Sequence, residues 1–303
     1  MSVKSRYNHG IDPCILSGKL ITMKLPAMHN QSKQNMKKVL LSFDIEEFDM
    51  PTEYGKEIMM HKQLLVSQKG TEMILDLLQR HKVKATFFCT AVFALAMPDL
   101  IARITREGHE LASHGFSHST FSKEDLLRSR LELEVLSGQP VQGFRMARMM
   151  PVDATDIVAA GYTYNSSLNP VYLPGRYNNF FKPRRLFTTG TLQQLPASAT
   201  PIIRLPLFWL SFHNLPLWLY KAACRWTINN DKYLNLYFHP WEFTDTSLTA
   251  YGLPKYVVRN SGVDMYDRFE KLLIWMKKKG YGFETMNRFL SGKRKKIDML
   301  VTQ

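Results

Sequence analysis

Short apolar runs alternate with helically spaced apolar residues along most of the chain. Residues 39–44 form an apolar run that ends in acidic residues, which predicts a buried strand. Apolar residues then recur at helical spacing between 70 and 80, and a second strand is predicted at 83–88. The same patterns predict strands at 109–113, 142–145, 233–238 and 281–286, and helices at 98–106, 123–136, 153–161, 215–228 and 264–279.

This alternation of strands and helices indicates parallel pairing. We therefore expect an α/β fold, either a (β/α) barrel or an open doubly wound sheet. Between residues 172 and 216 the pattern fades among Pro, Asn and Thr residues, which predicts loops and a hairpin around 192–205. The chain shows no internal repeat and no glycine-rich phosphate loop.

The net charge of +14 is concentrated at the two ends of the chain. Residues 1–38 carry seven basic residues against one acidic residue, residues 271–303 carry nine against two, and the remainder is almost neutral. We expect no nucleic-acid partner, because the basic ends lack interleaved aromatic residues. The basic runs are either solvated chain ends or a surface attracted to an anionic membrane.

No stretch approaches the roughly 20 apolar residues of a membrane span. Three scattered cysteines give no disulfide pattern, which favours a reducing compartment. We predict an N-terminal extension at 1–36, disordered or preceding the natural start, a catalytic domain at 37–290 and a basic tail at 291–303. Because no signal peptide is recognisable, we expect a cytoplasmic protein that can lie at the inner face of the membrane.

Residues that can carry chemistry follow the predicted strands, at the rim where β/α barrels form their active sites. The first strand ends in four acids within six residues, Asp44, Glu46, Glu47 and Asp49. Alternation places Asp44 and Glu46 on one side, where they suit a metal ligand and a general base. A solvated acidic turn is the alternative.

Two histidines, His114 and His118, stand four residues apart after the third predicted strand. Imidazoles at this spacing can face a single metal ion, although a chance pair is the alternative in a chain with nine histidines. We interpret His109, at the start of that strand, as a structural histidine.

An arginine and a histidine follow two other strands. Arg145 can orient a carboxylate base or form a surface salt bridge, and a salt bridge is the favoured role of Arg148. His239 can act as general acid to a leaving amine, or it can be a packed histidine. Trp241 can stack on a sugar ring or belong to the core. Together the clusters offer a metal site with an open position, a base and an acid, which predicts amide or ester hydrolysis.

These motifs resemble those of the polysaccharide deacetylases of the NodB homology type, carbohydrate esterase family 4. The resemblance covers residues 39–289 and rests on five segments, 42–46, 85–88, 114–118, 143–145 and 238–242. It implies a distorted (β/α) barrel of about seven strands that binds a divalent metal, zinc in most members. It implies metal ligands Glu46, His114 and His118, and catalytic residues Asp44, Arg145 and His239.

The sequence departs from the family pattern in three places. Ile45 separates two acids that are adjacent in most members, as in a subgroup with acid–x–acid spacing, so Asp44 and Glu47 remain alternative ligands. Met146 stands where a proline is expected. Asn165 stands where relatives often carry an aspartate before two serines.

The resemblance implies a carbohydrate substrate, an N-acylated amino sugar in a polysaccharide or its lipid-linked precursor. A deformylase or small cyclic-amide hydrolase of the same fold is one alternative, and an inactive carbohydrate-binding relative is another. The apolar stretch Leu205–Tyr220 is either core beneath the barrel or a peripheral membrane contact supported by the basic tail.

Overall fold

The apolar runs come together as one curled sheet in the computed structural model of the protein. The structure describes residues 36–301, with side chains up to residue 293. The extension predicted at 1–36 lies outside the described residues apart from Met36, and so do most side chains of the predicted basic tail.

Eleven strands and ten α-helices form in the described part of the chain. The strands are β1 (Lys38–Ile45), β2 (Thr86–Cys89), β3 (Glu110–Ser113), β4 (Gly143–Phe144), β5 (Tyr164–Asn165), β6 (Tyr172–Leu173), β7 (Tyr177–Asn178), β8 (Phe187–Thr189), β9 (Leu192–Gln194), β10 (Tyr233–Phe238) and β11 (Gly282–Phe283). The helices are α1 (Met60–His81), α2 (Ala91–Ala96), α3 (Pro98–Arg106), α4 (Glu124–Ser137), α5 (Ala154–Ala159), α6 (Trp209–Asn214), α7 (Leu217–Asp231), α8 (Lys255–Val258), α9 (Val263–Lys278) and α10 (Met286–Val301). Short 3-10 helices lie at Met50–Tyr54, Ala147–Met149, Pro240–Phe243 and Thr249–Tyr251.

The main sheet has the strand order β10-β1-β2-β3-β4-β5-β9-β8. Its pairs are parallel except β8 with β9, which form an antiparallel hairpin at one edge. β11 pairs with the beginning of β1, and β2 pairs with its second half. β6 and β7 form a separate antiparallel hairpin. The predicted α/β class and distorted barrel are confirmed.

The sheet curls until β10 meets the segment that follows β9. The backbone N–H of Ser198 donates to Asn235 O at 2.9 Å, and Asn235 N–H donates to Ser198 Oγ at 2.9 Å. The Asn235 amide also donates to the carbonyls of Leu195 and Pro196, at 3.2 and 3.0 Å. The buried Asn235 thus connects β10 to the segment after β9, where regular strand pairing stops.

Both faces of β1 are buried, as an unbroken apolar run predicts for a parallel strand. Leu41 and Phe43 belong to the large core that the sheet shares with the helices. Leu40 points the opposite way, into a smaller cluster with Phe88 and Tyr164. This second cluster packs against the beginning of α10, which ties the end of the domain to the sheet.

Several elements differ from their predicted bounds. α1 begins at Met60, well before the predicted residue 70. The sequence does not show its first turns, because they expose mixed side chains without an apolar stripe. The hairpin lies at 187–194 instead of 192–205 and turns at Gly190, whose φ is 58°. The last predicted strand shrinks to two residues, and α10 continues through most of the segment predicted as a tail. None of the described helices is both long and apolar enough to cross a bilayer.

Candidate active site

Residues at the ends of three strands line one cavity of about 290 Å³. Asp44 is near the end of β1, His114 follows β3 and His239 follows β10. Parallel strands that end at one rim bring these distant residues together, which is the geometry of β/α active sites. Glu46 and His118 line the same cavity.

Glu46, His114 and His118 form a buried cluster within this cavity. Glu46 Oε2 lies 3.2 Å from His114 Nε2 and 3.0 Å from His118 Nε2. One ligand atom from each residue lies within 4.8 Å of the other two. Two imidazoles and one carboxylate are a common donor set for catalytic zinc, so the side chains fit a divalent ion that keeps an open position.

Each histidine of the cluster is oriented through its other ring nitrogen. His114 Nδ1 donates to the carbonyl of Arg145 at 2.9 Å, and His118 Nδ1 donates to Asp49 Oδ1 at 2.7 Å. These bonds turn both Nε2 atoms toward Glu46. Such partners fix the tautomer and the orientation of metal-binding histidines.

Opposing effects set the charge of the cluster. Burial acts to raise the pKa of Glu46, but His118, His239 and His114 outweigh it and hold that pKa well below its usual value. Burial acts to lower the pKa of His118, but the carboxylates of Glu46 and Asp49 raise it to about 10. Glu46 is therefore a carboxylate, the form in which it can bind a cation.

Asp44 is held by a buried arginine. Arg145 Nη1 donates to Asp44 Oδ1 at 2.6 Å, while its Nε and Nη2 donate to Ser166 O and Oγ at 3.1 and 3.0 Å. The guanidinium is fully buried and lies 4.1 Å from the ring centroid of Phe88. The alternative of a surface salt bridge for Arg145 is thus wrong. One oxygen of Asp44 is fixed, and the other lies 3.9 Å from His239 Nε2.

Glu242 orients His239 from behind. His239 Nδ1 donates to Glu242 Oε1 at 2.9 Å, and His213 of α6 donates to Glu242 Oε2 at 2.8 Å. Burial acts to lower the pKa of His239, but the charge of Glu46 and the bond to Glu242 raise it above its usual value. His239 Nε2 therefore faces Asp44 with a proton to give.

Aromatic and charged side chains form the remaining cavity wall. Trp209, at the start of α6, lines it. Arg148 donates to Asp49 Oδ2 and to Glu53 Oε1, both at 2.9 Å, and Arg176 donates to Glu53 Oε2 at 2.5 Å. The salt bridge predicted for Arg148 is present, but it lies at the cavity. Further lining residues are Met149, Leu173, Tyr177 and Tyr256.

The structure brings together the six residues singled out from the sequence and separates one alternative from them. Glu47 accepts a hydrogen bond from Thr90 Oγ1 at 2.7 Å and is absent from the metal-ligand cluster of the described residues. Glu46 is the acid that contacts His114 and His118. His109 is buried and accepts the backbone N–H of Ala85 at 3.2 Å, which fits the structural role expected of it.

Of the two roles open to Trp241, the structure supports the core position over sugar stacking. This side chain is fully buried, stacks on His239 at 5.2 Å between ring centroids and donates Nε1 to Glu46 at 3.2 Å. Trp209 is the tryptophan that the cavity exposes. Its position depends on how α6 folds over the rim, which no local sequence pattern indicates.

Sequence reasoning also missed three supporting residues. Asp49 was noted only as one of four acids, and Glu242 and His213 were given no role. Glu242 could have been found, because it stands three residues after His239 in a turn that begins with proline. The contact of His213 with Glu242 joins residues 29 apart and needs the tertiary fold.

Comparison with known proteins agrees with this geometry. Residues 31–148 match the family model of polysaccharide deacetylase. This match covers 118 of the 303 residues, and it makes that part of the chain similar to the polysaccharide deacetylase family. They include Asp44, Glu46, both clustered histidines and Arg145, so the resemblance in the sequence is confirmed.

Two curated polysaccharide deacetylases share short similar segments with the chain. A peptidoglycan-N-acetylglucosamine deacetylase of Bacillus cereus is 41% identical over 63 residues, 20% of this chain and 23% of that protein. A chitooligosaccharide deacetylase of Bradyrhizobium is 42% identical over 53 residues, 18% of this chain and 24% of that protein. The chain thus matches about a quarter of the length of these relatives.

Solved structures extend the likeness of fold over nearly the whole chain. A polysaccharide deacetylase described as putative, from Mycobacterium smegmatis, superposes with a TM-score of 0.59 at 18% identity, covering 86% of this chain and 92% of that one. The Puue allantoinase superposes with a TM-score of 0.57 at 14% identity, covering 91% and 96%. At these identities the likeness establishes the polysaccharide deacetylase fold. The reaction has to be inferred from the residues of the site.

Proposed function

We propose that the protein is a metal-dependent hydrolase that removes the N-acyl group of an amino sugar in a polysaccharide or its lipid-linked precursor. The proposal is carried by the convergence on one cavity of three ligand candidates, a carboxylate held by an arginine and a histidine held by a carboxylate. The relatives are named for deacetylation of peptidoglycan N-acetylglucosamine and of chitooligosaccharides, which supports an N-acetylated sugar as substrate.

Glu46, His114 and His118 would hold the divalent ion, for which zinc suits the donor set. When bound, the ion supplies Lewis-acid activation of the attacking water and the acyl carbonyl. Asp44 is the general base: Arg145 fixes Oδ1, and Oδ2 accepts a proton from the attacking water.

His239 is the general acid. Glu242 holds its Nδ1 at 2.9 Å, so the proton on Nε2 is the one delivered to the departing nitrogen. The C–N bond then breaks, and the products are a free amine and a carboxylic acid. Asp44 Oδ2, 3.9 Å from His239 Nε2, is placed to return the proton that it took from water.

The cavity wall favours a sugar over a small polar amide. Trp209, Tyr177 and Tyr256 present aromatic surface to the cavity, and pyranose rings pack well on such surfaces. Trp209 lies 5.5 Å from His239 between ring centroids, so a sugar stacked on Trp209 would lie beside the proposed acid. A Trp209→Ala variant is expected to raise KM more than it lowers kcat.

The test is acetate release by the zinc-loaded protein from chitooligosaccharides, peptidoglycan fragments and lipid-linked N-acetylated sugars. We expect release by the parent protein and a loss of at least about 100-fold in kcat for Asp44→Asn, with bound zinc retained. Glu47→Gln is the matched control, since it changes a neighbouring buried acid that contacts Thr90 instead of the cluster; it should keep both zinc and activity.

Other outcomes would point to the alternatives. Formate release, or ring opening of cyclic amides without acetate release, would replace the deacetylase proposal with a related hydrolase. Stoichiometric zinc with sugar binding but no turnover on any of these substrates would identify a binding protein and refute hydrolysis.

A further inference from the structure

A second feature, outside the cavity, lies on the outer surface of α7 and α9. Trp218, Lys221, Arg225, Trp275 and Lys279 line a shallow groove of about 310 Å³ between the two helices. We call this surface the α7–α9 face. It combines exposed tryptophan with positive charge and holds no carboxylate among the residues that line it.

The tryptophans near this face are exposed to different degrees. Trp218 is 71% exposed, whereas Trp275 is half-buried and packs against the core. Trp226, eight residues after Trp218 on α7 and outside the groove lining, is 41% exposed. Lys221 lies with its Nζ 6.0 Å from the ring centroid of Trp275 on α9. Large apolar surface left this open marks an interaction site more often than a packing fault.

The basic side chains of the face make no close ion pairs with described acids, although Asp267 stands one turn before Lys271 on α9. Lys271 and Lys278 lie four residues before and three after Trp275, on the same side of α9. Neither they nor Lys221, Arg225 and Lys279 form an ion pair with any acid of the described residues. Burial first, then repulsion from Arg268 and Lys271, lowers the pKa of Lys221.

We propose that the α7–α9 face docks the protein on the surface of an anionic phospholipid bilayer. Tryptophan rings favour the boundary between headgroups and acyl chains, and lysine and arginine are attracted to anionic lipid. The face carries both kinds of residue, on α7, on α9 and directly after α9. A second copy of the chain is disfavoured as occupant, because two such faces would repel each other.

Of the two interpretations of Leu205–Tyr220, core packing and membrane contact, the structure favours core packing, and the proposed membrane contact lies on the α7–α9 face. Most side chains of Leu205–Tyr220 are buried or half-buried in the structure, which makes this stretch mainly core and cavity wall, while Trp218 is well exposed. α7 follows α6 in the chain, and Arg268 of α9 donates to the carbonyl of Phe212 in α6 at 2.8 Å. Both helices of the face are thus in contact with the helix that carries Trp209. The inference itself does not depend on the proposed reaction.

The test is sedimentation of the full chain with vesicles of phosphatidylcholine and phosphatidylserine in equal parts, against vesicles of phosphatidylcholine alone. We expect binding to the first at low salt, release at high salt, and little binding to the second. Lys221→Gln with Lys278→Gln should weaken binding about 30-fold, since each charge contributes about fivefold at the surface. Trp218→Ala should weaken it about tenfold.

A double variant elsewhere on the surface provides the matched control. Arg106→Gln with Lys69→Gln removes the same charge from α3 and α1 at exposed positions and should leave vesicle binding within about twofold. Full binding by Lys221→Gln with Lys278→Gln would overturn the proposal and assign any attraction to the terminal basic runs. Retention on an anionic polysaccharide without vesicle binding would also overturn it, as would a dimer that the same substitutions dissolve.

Discussion

Replacing Asp49 by asparagine is expected to weaken metal binding at the cluster about 10- to 100-fold. The Asp49 carboxylate accepts from His118 Nδ1 at 2.7 Å and from Arg148 Nη2 at 2.9 Å, so it serves two donors at once. An amide offers one oxygen and one N–H₂ group, and therefore one of the two donors loses its acceptor. A charge-assisted hydrogen bond of this kind contributes about 1.5–3 kcal/mol, which corresponds to the stated loss of affinity.

The assay is competition for zinc between the protein and a chelating dye at fixed pH. Glu53→Gln is the matched control, because Glu53 also pairs with Arg148, at 2.9 Å, but makes no contact with His118. It should change zinc affinity by no more than about threefold. An Asp49→Asn variant that binds zinc as tightly as the parent protein would refute the reasoning, as would equal losses in both variants.

Three further predictions concern stability. Arg145→Met should lower the free energy of unfolding by about 3–5 kcal/mol in urea titrations, because it leaves the buried Asp44 carboxylate unpaired; a loss below about 1 kcal/mol would contradict this. Gly70→Ala should destabilise the protein by about 1–3 kcal/mol, since its Cβ would lie 1.8 Å from the carbonyl oxygen of Pro240, and thermal unfolding measures the effect. Burial first, then nearby positive charges, lowers the pKa of His109 from 6.5 to about 4. The unfolded chain therefore takes up a proton first as pH falls, and between pH 6.5 and 4 the unfolding free energy should drop by about 3 kcal/mol more in the parent protein than in His109→Gln.

The sequence predicted the elements whose register is decided locally. β10 has the predicted bounds, Tyr233–Phe238, because every residue of this strand is buried and its sequence is therefore apolar almost throughout. α3 also has its predicted bounds, since proline begins it and Gly108, with φ 76°, follows its end. The sequence pattern is therefore sufficient to predict the bounds of a strand that is buried on both faces, or of a helix whose terminal residues begin and end it.

Elements whose course depends on tertiary contact could not be predicted in this way. The helix expected at 215–228 is preceded by α6, and Pro216 separates α6 from α7. The packing of α6 over the cavity gives Trp209 its place in the wall, while Trp241 is buried against Phe48 and Val257. These contacts join distant parts of the chain, so the local sequence does not show which tryptophan faces the cavity.

The candidate site divides in the same way. Residues that stand at strand ends, such as Asp44 and His114, could be found because the rim of a parallel sheet collects them. Asp49 could not, because its contact with His118 spans 69 positions and depends on the path of two loops. Site residues at strand ends can therefore be predicted from the sequence pattern, whereas the residues that orient them can be identified only from the tertiary structure.

The most direct test of the account is the metal content of the purified protein and its variants, measured by elemental analysis after dialysis. We expect one divalent ion per chain in the parent protein and in Glu47→Gln, and less than a tenth of that in Glu46→Gln and His114→Ala. A parent protein that binds no metal when zinc is supplied, or a His114→Ala variant that retains a full equivalent, would contradict the central claim that Glu46, His114 and His118 form a metal centre.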